Sequence, residues 1–209
     1  MLLLHRLSGR ASYFESGAAV PVQYARLLLP STLLIYLLPT VTMFVPGTPL
    51  DTLQSLIAFW QATPFLVNLP LWIASPFVAS SSSSPRNSRN ADVPHLDFFY
   101  RTIFIITLSS HCFILAKILC SSNPSITLSR VFIPSPARWL TSADEGLLWI
   151  FQWDWIILGT ACVVCAIGGV LDVRRLCSDV KLGRGVAVVI ALAVVGGPGA
   201  ALVLSLIHI

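Results

Sequence analysis

Apolar residues in this chain fall in long blocks divided by short polar stretches, without the alternation of a half-buried strand or the one-sided stripe of a soluble helix. Five blocks, 27–45, 53–79, 98–120, 146–171 and 186 to the end, each approach the ~20 residues a helix needs to cross a ~30 Å hydrocarbon layer. The pattern predicts an all-α polytopic membrane bundle of about five transmembrane helices, with residues 1–203 as a single helical domain. Pro30, Pro39, Pro64, Pro70 and Pro76 lie inside these blocks and predict kinks, which membranes tolerate where neighbours satisfy the freed carbonyls. The polar run "SSSSSPRNSRNADVPHLD" reads as a linker that ends at a helix capped by Asp97. A second loop, 121–144, carries an apolar "VFIP" suited to the membrane interface.

Composition agrees: 56% of the 209 residues are hydrophobic and 11% charged, against roughly 25% charged in soluble domains. Of the thirteen Lys and Arg, ten fall on one set of alternate loops and three (Lys117, Arg130, Arg138) on the other. By the positive-inside rule the amino terminus, the serine loop and "RRLCSDVKLGR" are cytoplasmic, and the 121–144 loop is lumenal, as for a protein of the endoplasmic reticulum membrane. The net charge of +4 is thereby accounted for as topology and contact with membrane lipid; no nucleic-acid partner is expected. The opening "MLLLHRLSGR" is too short an apolar run for a removable signal peptide. Five cysteines are an odd count, and Cys162 and Cys165 form C-x-x-C within a span without a second pair or a His, so neither a disulfide framework nor a metal site is expected.

Ionisable groups at membrane depth are costly, about 2.5–3.5 kcal/mol on insertion scales, and so are candidates for function. Asp154, inside "LLWIFQWDWIILG", is the foremost: counted from Gly146 it lies about 12 Å into its span. Gln61, His111 and Tyr36 reach a similar depth in three other spans, which predicts a shared pocket. Phe151 and Trp155 flank Asp154 in sequence, and Trp60 precedes Gln61. Desolvation favours the protonated form of a carboxyl group, which suits a general acid, and aromatic faces stabilise cations. That chemistry protonates an alkene or epoxide and guides the resulting carbocation.

Plainer roles compete. Trp139 and Trp149 suit an interfacial belt; Asp154 and His111 can pair as a helix contact; Gln61 can be an interhelical donor. Asp144 and Glu145 complement the amino-terminal dipole of the fourth helix, or stand at the pocket mouth. The last six residues, "LSLIHI", read as the translation of a transposase adapter used in sequencing libraries, so 204–209 is expected to be a non-native tail and His208 carries no weight; the alternative is the apolar end of a fifth helix.

The segments "LLLPSTLLIYLLPTVTMFVP", "LDTLQSLIAFWQATPF", "ADVPHLDFFYRTIFIITLSSH" and "DEGLLWIFQWDWIILGTA" resemble, in that order, a family of fungal integral-membrane terpene cyclases of meroterpenoid pathways, of the ascochlorin and macrophorin type. The likeness covers 21–172, and is most specific at Phe59-Trp60-Gln61 with Pro64 and at Glu145-Gly146 with Phe151-Gln152-Trp153-Asp154. It implies protonation-initiated cyclisation of a prenyl or epoxyprenyl chain on a lipophilic substrate, with no metal and no cofactor. The acids are scattered, without an aspartate-rich diphosphate motif. Family members are longer, so the chain is expected to be incomplete. Motif position and depth make Asp154 and Glu145 the candidate catalytic acids, with Trp60, Gln61, His111, Phe151, Trp155 and Tyr36 around the substrate. An intramembrane Asp and His also suit a proton-coupled transporter, and a non-catalytic membrane protein or a sterol-type isomerase completes the alternatives.

Overall fold

Helix is the regular structure throughout residues 22–78, 92–176 and 181–207, which are the residues this computed structural model describes. The opening segment, the serine loop, Cys177 and His208 lie outside them. Contacts divide the chain into two compact units, Met1–Phe99 and Tyr100–Ile209.

In the first unit, α1 (Val22–Met43) packs against α2 (Leu50–Leu66) and α3 (Leu69–Val78). Proline shapes all three. Before Pro39 the backbone of α1 loosens into a π-helical stretch, Thr32–Leu37, with the Leu38 N–H donating to the Leu33 carbonyl. Pro39 has no N–H and its ring crowds the carbonyl four residues back, so the wider register relieves it. The second expected span, 53–79, is divided: α2 ends at Leu66 and α3 begins at Leu69, because Pro70 cannot continue the ladder and disfavours helical backbone just before it.

In the second unit the main elements are the long helix α4 (Val93–Leu119), whose first turns belong to the first unit, the short α5 (Leu128–Phe132) and α6 (Ala143–Leu176). The α4 start precedes the expected cap at Asp97: the His95 and Leu96 N–H groups donate to the Asp92 carbonyl, and Pro94 sits where a first turn accepts proline. At its own start α6 has a Ser-x-x-Glu box, with Ser142 Oγ accepting from the Glu145 N–H at 3.2 Å. Asp144 and Glu145 lie in its first turn and Arg174 and Arg175 in its last, both favourable to the helix dipole. At 34 residues α6 is ~51 Å long, more than a bilayer core requires.

Among the described residues three helices, α1, α4 and α6, are long and apolar enough to cross a membrane. The fifth expected span is not one helix but two, α7 (Leu182–Val195) and α8 (Pro198–Ile207), which takes in part of the expected tail. Gly197 turns the chain at φ 90°, a left-handed conformation that a side chain resists, and Pro198 opens the next helix. The two form a hairpin. A Cβ on Gly185 would come within 2.6 Å of Val170, so α7 starts beside the far end of α6; one on Gly159 would meet Pro198 at 3.1 Å, so the turn lies near the middle of α6. From there α8 returns, packing Ala201 against Ala166 and Val189. Neither arm, ~21 and ~15 Å by residue count, matches a ~30 Å core.

Candidate functional site

Helical geometry sorts the polar residues of α6 by face. Glu145, Gln152 and Gly159 fall on the packed side, because steps of seven residues return to one face, and the partly exposed Trp155 stands at its edge. Gln152 is buried, and its Nε2 donates to the carbonyls of Arg130 (2.6 Å) and Val131 (3.3 Å). Glu145 forms an ion pair with Arg130. Together they hold α5 against the start of α6, so the "VFIP" segment docks on protein as well as meeting any interface. Phe132, at the end of α5, lies between two candidates, 4.9 Å from Trp155 and 6.4 Å from His111 between ring centroids.

Beside this junction, Arg130, Arg138, Ser135, Glu145 and Trp149 line a crevice of ≈ 10 Å³, about the space of one water. The buried Trp149 Nε1–H has no acceptor among the described residues, which leaves an open donor for an oxygen atom there. The Trp149 ring stacks on Trp139 at 5.4 Å and meets Trp153 edge-on at 6.1 Å.

Asp154 lies elsewhere. It sits two residues from Gln152, roughly 200° around the helix, on the face that also carries Leu147, Ile150, Phe151, Ile157 and Leu158. All of these are exposed, Phe151 at 59%. Among the described residues Asp154 has no hydrogen bond or ion pair. The alternative pairing with His111 is not made: His111 Nε2 instead lies 3.3 Å from the Val194 carbonyl oxygen. A carbonyl only accepts, so this ring nitrogen carries the proton. Cys112 Sγ donates to the Val195 carbonyl at 3.7 Å. Two residues of α4 thus satisfy the last carbonyls of α7, where the chain turns between helices and its backbone would otherwise be unpaired.

The remaining candidates belong to the first unit. Trp60 Nε1 donates to Thr40 Oγ1 at 2.9 Å, and that hydroxyl donates to the Tyr36 carbonyl at 2.6 Å. The Tyr36 and Trp60 rings lie 5.9 Å apart. Gln61 is exposed and makes no hydrogen bond among the described residues. Tyr36 and Trp60 therefore form one cluster, while His111, Phe132 and Trp155 form another. No site role was expected of Arg130, Phe132 or Gln152, although Gln152 stands in the segment most like the family; its signal was a polar residue seven places after Glu145, on the same helical face.

Comparison with known proteins gives these residues a context. The CtvD domain family matches residues 4–208. Terpene cyclase ascI of Acremonium egyptiacum is 32% identical over 179 residues, covering 80% of this chain and 45% of that protein. Terpene cyclase verU1 of Penicillium polonicum is 28% identical over 125 residues, covering 58% of this chain and 33% of that protein. The chain spans less than half the length of these curated relatives. No solved structure matches. The chain belongs to the CtvD domain family.

Proposed function

We propose that this member of the CtvD domain family is a membrane terpene cyclase, or the part of one that supplies its acid. It acts on a lipophilic prenyl or epoxyprenyl substrate of meroterpenoid metabolism, in the endoplasmic reticulum membrane. The observation that carries the proposal is the family match over nearly the whole chain, joined to a relative named as a terpene cyclase along 80% of it. The names of both relatives favour cyclisation over transport.

The proposed chemistry starts at Asp154. Its carboxyl group is free of any ion pair among the described residues and sits on an apolar, aromatic face, where a substrate dissolved in the bilayer can reach it. The acid gives its proton to an epoxide oxygen as a C–O bond breaks, or to an alkene carbon. The resulting cation is attacked by the next double bond of the chain, closing a ring. Loss of a proton from a neighbouring carbon ends the sequence, so product and substrate are isomers. Phe151 and Trp155 stabilise the passing cation through their ring faces. Within the first unit, Tyr36 and Trp60 offer a separate aromatic surface suited to a prenyl chain, with Gln61 beside it in sequence. His111 serves chiefly to position the α7 turn. Glu145, held by Arg130, orders the lumenal loop at the mouth of the site and is the lesser candidate acid.

The test is turnover of an epoxyprenyl substrate by microsomes containing the protein. Asp154→Asn keeps the shape and removes the proton, so it should lower conversion by about 10²-fold or more, while Glu145→Gln retains most of it. An Asp154→Asn protein that is inserted normally and remains fully active would remove this assignment.

A further inference from the structure

A second cavity, larger than the crevice at Arg130, lies away from Asp154 and Glu145. Near the carboxyl end of α6, that helix and the α7–α8 hairpin line a cleft of ≈ 450 Å³, within the range of small-molecule sites. Its walls are mostly apolar, formed by Val170 and Val173 of α6, Val188 and Val189 of α7 and Ala201 of α8, with Leu204 and Ser205 of the expected tail closing one end. Lys181 and Arg184 line it too. They stand three residues apart at the start of α7, hence on one side of that helix, and both are exposed. Lys181 makes no side-chain cap bond, so the first N–H groups of α7 add positive potential at the same place. No carboxyl, imidazole or phenol group lines the cleft among the described residues, so it is not fitted for proton transfer.

An apolar slot with two cations at one end is complementary to an amphiphile with a negative head. We propose that this cleft binds an anionic phospholipid of the surrounding bilayer, with an acyl chain between α6, α7 and α8 and the phosphate against Lys181 and Arg184. The distribution of basic residues places this end of α6 on the cytoplasmic side, where anionic lipid is concentrated. Val170 fills the contact at Gly185, which fixes how closely α6 and α7 approach and so the width of the slot beyond it.

Native mass spectrometry of the full chain in non-ionic detergent tests this, with phosphatidylserine and phosphatidylcholine of identical acyl chains as probes. Phosphatidylserine should be retained about tenfold better, from the attraction of two basic residues. The double substitution Lys181→Gln and Arg184→Gln, at exposed positions that leave the packing alone, should erase that preference. Val188→Trp, with helicity checked by circular dichroism, should reduce retention of both lipids by filling the slot. Equal retention of the two lipids by the unaltered protein, or an undiminished preference in the double variant, would overturn the proposal. So would competition by glycerophosphate equal to that of intact lipid, since it would show a bare anion site.

Discussion

Both units break their helices inside apolar sequence, and they satisfy the exposed backbone in opposite ways. In the first unit the repair is local. Pro64 cannot donate to the Trp60 carbonyl, and the adjacent Thr63 hydroxyl donates to it instead, at 2.6 Å. At the end of α2, where the Asn68 N–H has turned to the Phe65 carbonyl, Asn68 Nδ2 donates to the Pro64 carbonyl at 3.2 Å. In the second unit the break at Gly196 and Gly197 is satisfied from another helix, by His111 and Cys112 of α4. Local repair keeps each kinked helix self-sufficient. Repair across helices makes the hairpin depend on α4, and so ties the position of His111 to the fold.

That contrast is most sharply tested at the turn. A Cβ at Gly197 would both force a left-handed backbone and lie 2.9 Å from the His111 ring. Gly197→Ala should therefore destabilise the protein by about 3 kcal/mol, measured by unfolding in detergent. Gly199→Ala is the control: its Cβ would be 3.6 Å from Thr107, an ordinary contact, and it should unfold no earlier than the parent. If the two variants unfold alike, the turn is not the constraint described.

The local repair should matter less. Thr63 is fully buried, and Thr63→Val keeps its shape while leaving the Trp60 carbonyl unpaired, at a cost of about 1–2 kcal/mol. Thr63→Ser should recover most of that loss; failure to do so would assign the effect to packing. At the other break, His111→Leu removes a single hydrogen bond and should cost about 1 kcal/mol. Its distinctive mark is faster hydrogen exchange near 194–197, restored in His111→Gln if the new amide reaches the Val194 carbonyl.

What sequence made legible follows from the same division. Block length was enough for α1, α4 and α6, and Pro70 with Asn68 is a readable stop. The Gly-Gly-Pro at 196–198 is also a readable stop, but apolar residues on both sides concealed it within a single hydrophobic block. Depth was countable; direction was not. Because α6 is apolar all round, no stripe reveals which side packs, and the 200° between Gln152 and Asp154 decides which of them meets protein. The docking of α5 through Arg130 was equally hidden, since a contact between positions 130 and 145 leaves no periodic trace.

The smallest expected effect separates the 121–142 loop from the helices it covers. The side chains of Arg130 and Glu145 are 38% and 20% exposed, so solvent screens their attraction, and Glu145→Gln should cost no more than about 1 kcal/mol. The consequence should be local opening, not global loss: α5 is held by this pair and by Gln152, whose bonds go to backbone carbonyls and survive the substitution. Protease cleavage within 121–142 should rise while the unfolding midpoint barely moves. Exchanging the charges, Arg130→Glu with Glu145→Arg, should restore protection if attraction is what holds the loop. If exchange leaves the loop as open as the single variant, then the Ser-x-x-Glu start of α6, which the exchange also removes, holds it instead, and the loop depends on helix capping before it depends on charge.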